Sequence, residues 1–185
     1  MIFGDRIRLR ATEKDDIPKF VKWLNKPEVR TGLPIYLPLS LETEECWFAE
    51  MMKARQEEQP LVIEILEDSS WHMIGNIGFS SLDYRVRSAE IGIFIGEIER
   101  WNKGYGSEAM KTMMKHGFET LNLNRIMLRV FANNHNAIRV YEKTGFQHEG
   151  RLRQAIYING EYVDVLIMSV LASEWVEFEW NNDVV

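Results

Sequence analysis

The stretch from Ile91 to Leu121 restricts the fold more than any other part of the chain. It opens with an apolar run, Ile91-Gly92-Ile93-Phe94-Ile95, of strand length. Arg100-Trp101-Asn102-Lys103-Gly104-Tyr105-Gly106-Ser107-Glu108-Ala109 follows, and then Met110, Met113, Met114, Gly117, Phe118 and Leu121 recur at helical spacing. The order is strand, glycine loop, helix. Glycines at such a junction let backbone approach a ligand closely. The free N–H groups of the helix's first turn, with the helix dipole behind them, favour an anion there. A pyrophosphate is the natural guest; a plain glycine-containing helix entry is the simpler alternative. Gly104-Tyr105-Gly106-Ser107-Glu108-Ala109 also formally fits the dinucleotide pattern G-x-G-x-x-A. Its context fails, because Gly96 to Lys103 separates it from its strand and the next strand ends in Phe131-Ala132-Asn133-Asn134 without an acidic residue.

Taken in order, Arg6-Ile7-Arg8-Leu9-Arg10 alternates as a half-buried strand. Ile17, Phe20, Val21 and Leu24 recur at helical spacing after the acidic start Thr12 to Asp16, with Pro18 confined to the first turn. Residues 27–40 read as a loop of unusually apolar character, holding Leu33, Ile35, Tyr36, Leu37 and Leu39; they form either a satellite core or the wall of a binding site. Ser40 caps a glutamate-rich helix expected from Leu41 to about Gln56. Strands are expected at Leu61–Leu66, His72–Phe79, Ala89–Ile95 and Arg125–Phe131, and a short helix from Asn136 to about Thr144, stopped by Gly145. Ala155–Ile158 and Tyr162–Val170 flank Asn159-Gly160, a hairpin signal. The order β, α, α, βββ, α, β, α, ββ gives an α+β fold with a mostly antiparallel sheet and one parallel pair where the loop helix crosses over.

Composition narrows the function classes. With 185 residues, 45% of them apolar, the chain is long enough for a proper core and is expected to form one domain over residues 5–172, with an acidic tail over 173–185. No apolar run reaches membrane-helix length. A net charge of −6 argues against nucleic acid as partner, and a single cysteine with no leader pattern suits the cytoplasm. His72, His116, His135 and His148 form no metal-like pair, so no metal is expected. Cys46, at helical spacing with Ala49, reads as a buried small apolar residue rather than a nucleophile. Ser80, Ser81 and Ser107 lack a nucleophile elbow. The Trp-containing C-terminal portion is compatible with a homodimer.

Trp101-Asn102-Lys103-Gly104-Tyr105-Gly106 resembles the acyl-coenzyme A loop of the GNAT acetyltransferases, Gln/Arg-x-x-Gly-x-Gly/Ala, with Trp101 standing in place of the polar first residue. A second stretch carries the family's other coenzyme-binding pattern, Asn-x-x-Ala-x-x-x-Tyr-x-Lys-x-Gly-Phe, at Asn134, Ala137, Tyr141, Lys143, Gly145 and Phe146. On the residues alone, Tyr141 is either a core tyrosine with its hydroxyl satisfied or a proton donor. The resemblance covers about residues 5–172. It implies the GNAT fold, a mixed, mostly antiparallel sheet flanked by helices, whose splayed central strands hold acetyl-CoA as cosubstrate. It also implies that Phe94, Ile95 and Gly96 pair with the pantetheine arm. The loop Trp101, Asn102, Lys103, Gly104, Tyr105, Gly106 and Ser107 would take the pyrophosphate, and Asn134, Ala137, Tyr141 and Lys143 would complete the cofactor site. An amine would attack the thioester directly, with Glu90 as base, directly or through water, and Tyr141 protonating the thiolate; on the residues alone Glu90 also reads as an ordinary exposed strand-end glutamate.

For the acceptor, Glu149-Gly150-Arg151-Leu152-Arg153 and Tyr157-Ile158-Asn159-Gly160-Glu161-Tyr162-Val163-Asp164 are similar to the ribosomal-protein N-terminal and spermidine N-acetyltransferases. The segment Tyr157 to Tyr162 lies closer to the spermidine enzymes, and the glutamates of Leu41 to Gln56 would suit a polycation. A polyamine is therefore the expected acceptor. A peptide N-terminus, another small amine, or a non-catalytic coenzyme A sensor are the alternatives.

Overall fold

The computed structural model describes residues 1–175. Its strands are β1 (Ile2–Phe3), β2 (Ile7–Ala11), β3 (Leu61–Glu67), β4 (Ser70–Asp83), β5 (Ser88–Ile95), β6 (Arg125–Phe131), β7 (Gln147–Ile158) and β8 (Glu161–Leu171). Its helices are α1 (Ile17–Leu24), α2 (Pro27–Arg30), α3 (Leu41–Met51), α4 (Tyr105–Lys115) and α5 (His135–Lys143). The eight strands follow the order β1-β2-β3-β4-β5-β6-β8-β7. The registers of β1 on β2, β2 on β3, β3 on β4, β6 on β8 and β7 on β8 are antiparallel, whereas β5 and β6 run parallel. That parallel pair is joined through α4, as a parallel connection requires a crossover. The fold is α+β with a mixed sheet, as expected, with the short β1 and α2 added. The chain divides into two compact units, Met1–Ser80 with Gly92–Met113, and Ser81–Ile91 with Met114–Val185. No helix among the described residues is long and apolar enough to cross a membrane.

In the first unit, α1 buries Ile17, Phe20, Trp23 and Leu24 against Val62 of β3 and Met73 of β4. This is the stripe its periodicity predicts. The strictly alternating β2 turns Ile7 and Leu9 into the core and its arginines to the other face. There Arg8 and Arg10 both bond the buried Glu64 carboxylate, at 2.6 and 2.8 Å, and Arg10 also grips Asp16 through two bonds of 2.7 Å. These two carboxylates raise the Arg10 pKa further above its ordinary value. Asp16 in turn accepts from the Glu13 N–H at the start of the helix, so the network ties β2, β3 and α1 together.

Residues 27–40 do two things. Leu33, Ile35 and Leu39 pack on the α1 cluster, and the Asn25 amide fixes Leu39 through two bonds, one to its carbonyl and one from its N–H. Tyr36 and Leu37 point to solvent, 58% and 74% exposed. α3 ends at Met51 rather than near Gln56. Its inward face is set by Glu44, Phe48 and Met51, at i, i+4 and i+7. Cys46, two residues from Glu44, falls on the opposite side and is exposed, which corrects the expectation of a buried thiol. Glu44 is the surprise of that face: burial raises its pKa above the ordinary carboxylate value.

In the second unit, β6 lies between β5 and β8, and Phe131, Val163 and Val165 form a small core with Ile156 and Ile158. β7 begins at Gln147, well before the expected Ala155. Its first nine residues are exposed, so no apolar alternation announced it. Asn159 (φ 52°) and Gly160 (φ 85°) both take the left-handed conformation of a type I′ hairpin turn, as their pairing predicts. The 173–185 tail starts as a helix at 172–175; its remainder lies outside the described residues.

Candidate active site

The glycine loop is built from its flanks inward. A short 3₁₀ turn, Ile98–Arg100, leads into it, and Arg100 is held by Glu67 at 2.5 Å. Trp101 turns its ring inward onto the α1 cluster, and its indole N–H donates to the Ile95 carbonyl at 2.8 Å. This explains the departure from the family pattern: the first loop position serves as an anchor between the loop and the end of β5. Asn102 (φ 60°) and Gly104 (φ 84°) then reverse the chain in the left-handed region. The Gly104 carbonyl accepts the first helical bond, from the Glu108 N–H at 3.0 Å. The N–H groups of the residues between them lie in the first turn of α4, where an α-helix leaves its donors without intrahelical partners.

Arg6, between β1 and β2, braces this turn from the side. Its Nε donates to Glu108 Oε2 at 2.8 Å, its Nη1 donates to the Lys103 carbonyl at 3.2 Å, and its guanidinium lies 4.8 Å from the centre of the Tyr105 ring. The Arg6 backbone N–H donates to the other Glu108 oxygen at 2.6 Å. A Cβ at Gly104 would meet Arg6 Nη2 at 3.2 Å. Nothing local in the sequence marks this pairing, since the partners are 102 positions apart.

The end of β5 is irregular. The N–H groups of Gly96 and Glu97 both donate to the Ile74 carbonyl, at 2.9 and 3.2 Å, which bends β5 away from a regular ladder. A side chain at Gly75 would collide with the Phe94 carbonyl, and one at Gly96 would overlap the Trp23 indole. Both glycines are therefore required by close approach. The Gly96 N–H is thus engaged by the Ile74 carbonyl.

In the second unit, the Asn134 side chain caps α5, accepting from the Ala137 N–H at 3.2 Å. The other end closes as a Schellman turn: the Phe146 N–H donates to the Tyr141 carbonyl at 3.0 Å, the Gly145 N–H to the Glu142 carbonyl at 3.1 Å, and Gly145 sits at φ 95°. The apolar contact that accompanies such a cap is Tyr141 on Phe146, ring centres 6.0 Å apart. The buried Thr144 hydroxyl donates to the Val140 and Tyr141 carbonyls. The signature thus reads as a capped helix that fixes the Tyr141 ring. Asn134, Gly145 and Phe146 are its frame, Ala137 lies half-buried, and Lys143 is exposed. Burial pushes the Tyr141 phenol up to about 12, so it holds its proton at neutral pH. Glu90, on β5 beside Met127 of β6, lies 3.4 Å from the exposed Arg129 guanidinium.

The donor set suits an anionic, extended ligand: a reversed glycine loop, an open first helical turn and a bent strand edge in one unit. Among the described residues, no cluster of His, Cys, Asp and Glu could hold a metal ion.

The Acetyltransferase (GNAT) domain family matches residues 6–147. A spermidine N(1)-acetyltransferase of Vibrio cholerae is 29% identical over 93% of this chain and 96% of its own length. A putative ribosomal N-acetyltransferase of Bacillus subtilis is 28% identical over 93% and 94%. The crystal structure of spermidine N-acetyltransferase from Vibrio cholerae in complex with CoA and spermine superposes with a TM-score of 0.84 at 28% identity, covering 92% of this chain and 98% of the other. The chain belongs to the GNAT family of N-acetyltransferases.

Proposed function

We propose that this N-acetyltransferase moves the acetyl group of acetyl-CoA to a primary amine of a polyamine such as spermidine. In this reading the backbone of Asn102 to Ser107 holds the pyrophosphate, and Phe94 and Ile95 pair with the pantetheine amides. The neutral amine attacks the thioester carbonyl carbon, the C–N bond forms and the C–S bond breaks. The proton lost by the amine passes to Glu90, directly or through water, and Tyr141 gives its own proton to the leaving thiolate. The single observation that supports the chemistry is the Schellman cap, which packs the half-buried, protonated Tyr141 phenol against Phe146. The polyamine acceptor is supported by the spermidine acetyltransferase relatives.

A peptide N-terminus is the second reading, favoured by a specific feature. Between Glu28 and Glu42 the chain contains no carboxylate and presents Tyr36 and Leu37 to solvent. The acidic helix also offers less to a polycation than its composition implied: Glu44 is buried, Glu45 lies 3.5 Å from Lys14, and Glu50 pairs with Lys53 at 2.6 Å. The test is thiol release from acetyl-CoA with spermidine in one reaction and an Ala- or Ser-initiated peptide in another. Turnover with spermidine is expected. Turnover with the peptide alone would replace the polyamine reading with the second one.

A further inference from the structure

We propose that Arg6 is a positioning residue for coenzyme binding, neutralising Glu108 and bracing the Lys103 carbonyl so that the loop amides stay arranged for a pyrophosphate. The inference rests on the reading of Asn102 to Ser107 as the pyrophosphate site. Glu108 sits in the first turn of α4. A carboxylate there is favourable toward the helix dipole, but it opposes an incoming anion at the same helix end. Left without a counter-charge at such range, it would weaken anion binding by roughly three- to ten-fold. Arg6 meets it with two side-chain nitrogens at 2.8 Å, while the Arg6 backbone N–H takes the second oxygen. The same guanidinium reaches the Lys103 carbonyl, the peptide that enters the left-handed Gly104. One cation thus fixes both the charge and the turn.

The Arg6 side chain is 53% exposed. The Glu108 side chain is only 14% exposed, so taking away its counter-charge is expected to cost some stability as well. A merely structural Arg6 would lower the melting temperature with no selective effect on the coenzyme, whereas a positioning Arg6 changes coenzyme A affinity and acetyl-CoA KM ahead of kcat and amine KM.

The experiment compares the native chain with Arg6→Ala, Arg6→Lys and the double variant Arg6→Ala/Glu108→Gln. The measurements are coenzyme A affinity by calorimetry, KM for acetyl-CoA and for the amine that turns over, kcat and melting temperature. Arg6→Ala should raise both the coenzyme A Kd and the acetyl-CoA KM by about ten-fold, the combined effect of lost charge compensation and lost bracing. Its kcat and amine KM should stay within about two-fold, the signature of lost binding rather than lost chemistry. Arg6→Lys should recover part of the loss, since it restores the charge and not the fork. The double variant should return to within about three-fold of native, because the opposing carboxylate is gone. Arg6→Ala with native coenzyme A affinity, or with kcat and amine KM damaged as much as the acetyl-CoA KM, overturns the proposal. A native chain that does not bind coenzyme A overturns the reading of the loop itself, which distinguishes the two failures.

Discussion

The glycine loop before α4 and the cap after α5 carry the two family signatures, and they encode their geometry differently. In the loop, the groups suited to an anion are backbone N–H groups, and the side chains around them are props. Trp101 can replace a polar residue because its task is to anchor the loop to the Ile95 carbonyl and the α1 cluster. At α5 the side chains are the message. Asn134 caps one end, Gly145 supplies the left-handed turn at the other, and Phe146 supports the Tyr141 ring. A backbone site tolerates substitution and gives a weak pattern; a side-chain site does not, and gives a specific one.

The sharpest way to break this comparison is Tyr141→Phe. The ring contact with Phe146 is retained and only the hydroxyl goes. We expect kcat to fall by about 100-fold, in the range of a lost general acid, with coenzyme A affinity unchanged. Full activity in the variant would remove the proton-donor role. The pH dependence gives a second readout. An unfolded tyrosine titrates near pH ~10, and the folded phenol is pushed up to about 12 by burial. Between those values the folded state binds more protons, so this stabilising contribution is complete below about pH 10 and is lost as pH rises through the folded value. In Tyr141→Phe that alkaline loss of stability should be absent from denaturation curves.

A smaller effect on activity is expected from Gly145→Ala. A Cβ at φ 95° is strained by about 1–2 kcal/mol. For a chain of this length that lowers the melting temperature by roughly 2–8 °C. Because the cap also holds Tyr141, kcat should fall by a few-fold while coenzyme A affinity stays native, on the general ground that coupling decays away from a shared contact. A variant with lowered stability and native kcat would show that the cap supports the fold without orienting the phenol.

What could be read from the sequence follows the same division. Elements with an apolar period were legible: the Ile17-Phe20-Leu24 stripe of α1, the alternation of β2 and the Met110-Met113-Met114 face of α4. The start of β7 was not, because its early residues are exposed and a strand without a buried face has no period to detect. Cys46 was misplaced because the buried face of α3 includes Glu44, a residue type that composition assigns to solvent. In the candidate site, both signatures and Glu90 were visible as residues. Arg6 was not, since its role depends on a contact with Glu108 that only the fold creates, and neither was the bend of β5 at the Ile74 carbonyl.

The smallest expected effect on activity tests the other side of the comparison. Trp101→Gln installs the polar residue of the family pattern. The glutamine cannot fill the space of the indole against the α1 cluster, so stability should fall by about 1–3 kcal/mol, a drop that thermal melting resolves. The Ile95 carbonyl also loses its indole donor, yet the left-handed turn at Asn102 and Gly104 and the first helical bond from Glu108 to Gly104 do not involve Trp101. If the pyrophosphate is held by loop backbone, coenzyme A affinity should stay within about three-fold of native, since no donor to it has been removed. A gain of more than about ten-fold, equal to a charged or well-formed hydrogen bond, would mean that the family's polar side chain contributes directly. The loop would then belong with α5 as a site specified by its side chains, and Trp101 would mark a coenzyme affinity given up for a better-packed core.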